Sequence, residues 1–195
     1  MEVFKIYFTE GWNHIMSSDA LDHQLFILSL AALFLSKDWR RVLVLVTAFT
    51  IGHSLTLALS VYDVIRFSIA WVEFLIPITI LLTAIYDLRY LNISKIEGRN
   101  IQFNYIIALS FGLVHGMGFA NSIRQMLASD QTIGIPLLSF NIGLEVGQIV
   151  LILLILLIAQ LLVVNVKLPR KYWILLLSVI PLILSLRMAL ERIPF

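Results

Sequence analysis

Six long apolar runs, separated by short polar stretches, organise this chain. They lie at about 20–36, 42–61, 67–86, 102–122, 135–164 and 172–190. A helix needs about 20 predominantly apolar residues to cross the hydrocarbon core of a bilayer, so each run predicts a transmembrane helix. The fifth is longer than a crossing requires and is expected to tilt or protrude. Its stretch "IVLILLILLIAQLLVV" is apolar on every side, whereas the strand of a transmembrane barrel alternates apolar and polar positions. Ahead of the first run, Phe4, Phe8, Trp12 and Ile15 recur near helical spacing, with Glu2, Lys5, Thr9 and Asn13 between them. That pattern predicts a short amphipathic helix over about 2–16, lying in the membrane interface. It lacks the basic start, unbroken apolar core and small-residue cleavage site of a secretory leader. The expected fold is all-α: a single domain over 1–195, a polytopic membrane bundle of six transmembrane helices with a short N-terminal interfacial helix.

Composition strengthens this reading. Hydrophobic residues make up 60% of the chain and charged residues 13%, with a mean hydropathy of +0.95. An ordinary soluble domain carries roughly 25% charged residues. The expected partner is therefore the lipid bilayer, with no sign of a nucleic-acid partner. Cysteine is absent, which excludes disulfides and thiolate metal sites.

Charge placement then orients the bundle. Lys37, Arg40 and Arg41, then Arg89, Lys95 and Arg99, then Lys167, Arg170 and Lys171 fall in three alternate loops. The opposite set of loops and ends carries only Lys5, Arg66, Arg124, Arg187 and Arg192. Cytoplasmic loops are enriched in Lys and Arg, so both termini are expected on the outer side.

Ionisable groups inside the spans are few, and such groups normally face the bundle interior and mark a function. His23 opens the first span, with Asp19 and Asp22 at its threshold and His14 just before it. His53 lies in the second, flanked by Thr50 and Thr56; Glu73 in the third; His115 in the fourth; Asn141, Glu145 and Gln148 on one face of the fifth. With the orientation above, these residues share a layer about one to three turns below the outer surface. Each residue has a plain alternative. A buried histidine can satisfy a backbone carbonyl, amides can join helices, and Asp19 and Asp22 suit a helix N-terminus. Together, four imidazoles and several carboxylates without Lys or Arg among them point to a divalent transition metal. The expected ligands are His14, Asp22, His23, His53, His115 and Glu145, supported by Asp19, Thr50, Glu73, Asn141 and Gln148. On one straight helix His14 and His23 would stand about 13 Å apart, so the site needs a break near "SSDALD", where Ser17, Ser18 or Asp19 can cap a helix. Gly112 and Gly116, and Gly143 and Gly147, have the small-xxx-small spacing of close helix packing, which would bring His115 and Glu145 together.

These residues also carry a likeness. "GWNHIMSSDALDHQLF", "FTIGHSLTLAL", "VEFLIPITI", "FGLVHGMGFA" and "FNIGLEVGQI" resemble, in order, the signature blocks of HupE/UreJ-type membrane proteins, in particular the second branch of that family. The resemblance implies a nickel or cobalt permease in a bacterial inner membrane. It also implies metal-handling roles for His14, Asp22, His23, His53, Glu73, His115, Asn141 and Glu145.

Three functions follow. A metal permease for Ni, Co or Zn is the first. Against it, the inner halves of the spans look apolar, with Gln160 the only obvious polar residue deep in the fifth, and transporters usually bind near the midplane. The alternative is an outward-facing, membrane-embedded metal-dependent hydrolase, in which three histidines leave an open position and Glu145 or Asp22 acts as base; no HExxH motif is present. The third is a polar layer that only locks the helices.

Overall fold

A computed structural model describes residues 1–91, 101–126 and 133–194, without the side chains of residues 19, 101, 103, 121, 122 and 124–126. All regular structure among the described residues is helical: α1 (Glu2–Met16), α2 (Leu21–Ala31), α3 (Trp39–Val61), α4 (Ile69–Leu88), α5 (Ile101–Met126), α6 (Gly134–Ala159) and α7 (Arg170–Glu191). Single 3-10 turns occupy Ser18–Ala20 and Ser36–Asp38, and α6 runs on through a π-helical segment, Gln160–Asn165. Among the described residues, four stretches are long and apolar enough to cross a membrane: Ser36–Val61, Ile69–Leu88, Gly134–Asn165 and Arg170–Glu191. α5, with 26 residues, matches the expected fourth span in position.

The expected first span is corrected. α2 has 11 residues, about 16 Å of helix, well short of the roughly 30 Å hydrocarbon core. Leu33 and Phe34 beyond it are buried but not helical. Their apolarity serves the core and does not lengthen the helix.

The expected interfacial helix also sits differently. α1 packs lengthwise on the first half of α6. Gly11 lies on the Phe140 carbonyl, Gly143 on the Phe8 carbonyl and Gly147 on Ile15, so the two helices run side by side in the same direction. Tyr7, Gly11 and Ile15, four apart, form the buried stripe of α1. α1 and α2 thus act as two halves of one path, broken at Ser17–Ala20. Ser17 is extended (φ −76°, ψ 159°) and its N–H returns to Asn13 O at 2.9 Å. Gln24 Nε2 donates to Ile15 O at 3.0 Å and Ser17 O at 2.8 Å. A helix end leaves carbonyls without partners; here a side chain from the next helix supplies them.

The glycine pairs join other helices than the spacing suggested. Gly112 and Gly116 of α5 press on the backbone of α3 at Phe49 and His53, and Gly52 of α3 presses back on Leu109 and Leu113. Gly143 and Gly147 receive α1. The two closest contacts are therefore α3 with α5 and α1 with α6, not α5 with α6.

The bundle has two ends. At the lower end Arg170 Nη2 donates to Leu33 O at 2.6 Å, Ser36 hydrogen-bonds Gln160, and Ser29 Oγ donates to Asp87 at 3.4 Å. These contacts gather the close of α2, the start of α3, the close of α4, the π segment and the start of α7. The opposite, upper end holds the close of α3, the start of α4, the start of α6 and both chain termini. Large apolar side chains such as Val44, Leu55, Leu82, Leu157 and Leu186 face outward; this exterior suggests contact with lipid.

Candidate metal centre

Four helices deliver four histidines to one place. α1 contributes His14 two residues before its end, and α2 contributes His23 in its first turn. The broken joint sets their ring centroids 4.7 Å apart, against the roughly 13 Å of axial rise on a straight helix. α3 supplies His53 and α5 supplies His115, held level by the glycine contacts of those two helices. Centroid separations are 5.9 Å for His23–His53, 6.3 Å for His14–His53 and 5.1 Å for His23–His115. By residue count, His53 is about 12 Å from the upper end of α3 and about 21 Å from its lower end. The layer lies above mid-height but nearer the middle than the rim.

One nitrogen each of His14, His23 and His53 lies within 4.8 Å of the other two. Nitrogens bound to one ion at about 2.1 Å stand at most about 4.2 Å apart. The trio holds a transition metal once its widest pair closes by at least about 0.6 Å, or about 1.4 Å for tetrahedral positions. His115 borders the trio through His23.

Hydrogen bonds fix two tautomers. Asp22 Oδ1 accepts from the His23 backbone N–H at 2.8 Å and pairs with His23 Nδ1 at 2.9 Å. The Phe111 carbonyl pairs with His115 Nδ1 at 2.9 Å. Both partners only accept, so Nδ1 carries the proton in each ring and Nε2 keeps its lone pair. A carboxylate behind a histidine in this way sets ring orientation and raises ligand basicity. The remaining atoms are left over. His14 Nε2, His23 Nε2, His115 Nε2 and both ring nitrogens of His53 are buried without a protein hydrogen bond. Stranding one such group costs about 1–3 kcal/mol. Neutral His53 carries one N–H and one lone pair, so up to four lone pairs are left, and together they call for a cation.

The other expected residues separate into groups. Asn141 lies beside His53, its Nδ2 donating to Leu137 O at 2.8 Å and its buried Oδ1 placed to receive the His53 N–H. Glu145 accepts from Thr47 at 2.8 Å, and Gln148 accepts from Thr50 at 2.9 Å; both pairs join α3 to α6 outside the histidine trio. Glu73 is exposed on α4. The side chain of Asp19 lies outside the described residues. No side-chain cap closes the break at Ser17.

Sequence reasoning overlooked the phenylalanines. Phe119 and Phe140 stack at 4.9 Å with 15° between planes, and lie 4.0 and 5.6 Å from His14. Phe49 approaches His115 at 5.1 Å, and Phe26 approaches it at 5.7 Å. Following each helix direction, Phe119 and Phe140 stand above the imidazoles, while Phe26, Phe49 and Phe111 stand below. The signal was the spacing: Phe49 precedes His53 by four, and Phe111 and Phe119 bracket His115 by four, which keeps each pair on one helix face.

Comparison with known proteins adds one finding. The model of a protein family described as HupE / UreJ protein matches residues 1–191. No curated protein and no solved structure matches the chain.

Proposed function

The chain belongs to the HupE/UreJ family, and from that premise we propose that it is a permease for a divalent transition metal of the nickel or cobalt type. His14, His23 and His53 are the primary ligands, with His115 as a neighbouring donor. Asp22 positions His23, and Asn141 adjoins His53. The single observation behind this reading is that one nitrogen each of His14, His23 and His53 converge within 4.8 Å, buried and with lone pairs that no protein donor takes. Neutral imidazole suits nickel and zinc among others. The phenyl rings above and below the imidazoles match an occluded ion-binding state, sealed on both sides. Lys37, Arg40, Arg41, Arg89, Lys167, Arg170 and Lys171 gather at the lower end, so we assign that end to the cytoplasm and both termini to the outer face of a bacterial inner membrane.

Two measurements test this. Purified protein should hold close to one Ni²⁺ or Co²⁺ per chain, and His53→Ala should weaken binding by about 100-fold or more, since even loss of an outer-shell partner costs about 10–100-fold. Proteoliposomes should then take up the ion, and those carrying His53→Ala should not. Bound metal without uptake would overturn transport and turn the reading to the metal-dependent hydrolase. Unchanged metal content in His53→Ala would overturn the site itself.

A further inference from the structure

Below the imidazoles lies a cavity of about 420 Å³. Three helices place it on the axis of the histidine site. Along α2 the order downward is His23, Phe26, Leu30. Along α3 it is His53, Phe49, Leu45. Along α5 it is His115, Phe111, Ile107. Steps of three or four residues keep each series on one helix face, and Leu30, Leu45, Phe111 and Ile107 all line the cavity. Each helix therefore presents imidazole, then phenyl, then cavity wall. The phenyl layer is closed, with Phe26 to Phe49 at 4.8 Å and Phe26 to Phe111 at 5.9 Å. Phe111 serves both sides: its carbonyl holds His115, and the residue borders the cavity.

The cavity is not uniformly apolar. Thr83 and Asp87 of α4 and Asn104 of α5 form its polar wall. Asp87 is only 4% exposed and accepts a hydrogen bond from Ser29. Buried ionisable groups in membrane bundles commonly mark ion paths. They lead inward from the histidines, and only the fold brings Thr83 and Asp87 of α4 together with Asn104 of α5 and Ser29 of α2.

We propose that this cavity is the exit vestibule for the divalent cation, with Asp87 as its receiving group once the layer of Phe26, Phe49 and Phe111 parts. The inference rests on the permease reading above. An ion leaving imidazole ligands must regain water, and the cavity has room for on the order of ten water molecules. A single carboxylate, with only Thr83 and Asn104 beside it, holds a cation weakly, as a site of release requires. Arg89 at the rim is exposed, so water and salt screen its charge more than that of the buried carboxylate.

The test pairs Ni²⁺ binding by the full chain in detergent with Ni²⁺ uptake by proteoliposomes, for wild type, Asp87→Asn, Asp87→Glu and the cavity-filling Thr83→Phe. Asp87→Asn and Thr83→Phe should bind Ni²⁺ as wild type does while uptake falls by about tenfold or more, and Asp87→Glu should restore it, as expected for an ion-path carboxylate. Wild-type uptake by both Asp87→Asn and Thr83→Phe would overturn the proposal and leave a space filled by a lipid chain entering past the exposed Leu82 and Ile85. Loss of binding together with uptake in Asp87→Asn would also overturn it, making Asp87 a support of the fold. Absence of uptake by wild type would instead bring down the permease reading, a result separate from either variant.

Discussion

At the lower end of the bundle, buried polar groups join helix ends: Ser36 with Gln160, Arg170 with the Leu33 carbonyl. At mid-height, one nitrogen each of His14, His23 and His53 converge, with lone pairs that no protein donor takes. Unpartnered buried atoms occur elsewhere, such as Trp173 Nε1 and Ser178 Oγ on α7, but no other group of ligating side chains converges in this way among the described residues. Apolar surroundings penalise both sets alike. Pairing turns the lower set into clamps between helix ends, whereas the middle set keeps its lone pairs and is stabilised only when a cation takes them. The contrast teaches where to expect loss of stability and where to expect loss of binding.

The severest way to break the contrast is to part the helices that hold both sets. A Cβ at Gly112 would run into the Phe49 carbonyl and the His53 backbone N–H, and overpacking costs about 1–3 kcal/mol even where side chains can yield. Gly112→Leu should therefore abolish cooperative thermal unfolding in detergent along with Ni²⁺ binding. Gly134→Leu, with no atom within 4 Å, should leave both intact. Equal behaviour of the two variants would refute the close α3–α5 interface.

A smaller and sharper effect is expected at Asp22. Asp22→Asn should weaken Ni²⁺ binding by about 10–100-fold, as for other partners of metal-ligating histidines, and leave the unfolding midpoint of the metal-free protein nearly unchanged. A drop in that midpoint as large as the drop in affinity would place Asp22 with the clamps.

The smallest change probes the boundary between the sets. Gln24 holds the carbonyls at the break but touches no imidazole. Gln24→Ala should cost about 1 kcal/mol of stability by chemical denaturation, the usual net worth of such hydrogen bonds, and shift Ni²⁺ affinity only as far as His14 and His23 drift apart. Loss of binding with stability intact would mean that the break serves the metal site alone.

The layer of polar residues was legible because ionisable side chains stand out against apolar runs, and because helical rise converts residue number into depth. His14, His23, His53 and His115 could be assigned to one level from that count alone, and Asp22 to their neighbourhood. Glu73 shared the level but faces outward, because depth along a helix says nothing about azimuth. The shortness of α2 was hidden for a related reason: Leu33 and Phe34 are as apolar as a membrane span, yet they pack into the core as non-helical chain.

Chain chemistry without coordinates settles the helical class and the approximate level of the histidines, because burying this much apolar surface leaves helices in lipid as the workable solution and spacing fixes height. Partnership belongs to packing alone. Gly143 accepts α1 and Gly112 accepts α3 because backbone carbonyls happen to meet those glycines in space. The same packing aligns three His-Phe series over one cavity. A one-dimensional pattern records which face of a helix is special, while the identity of the facing helix depends on contacts such as Gly112 with Phe49 and Gly143 with Phe8, far apart in sequence.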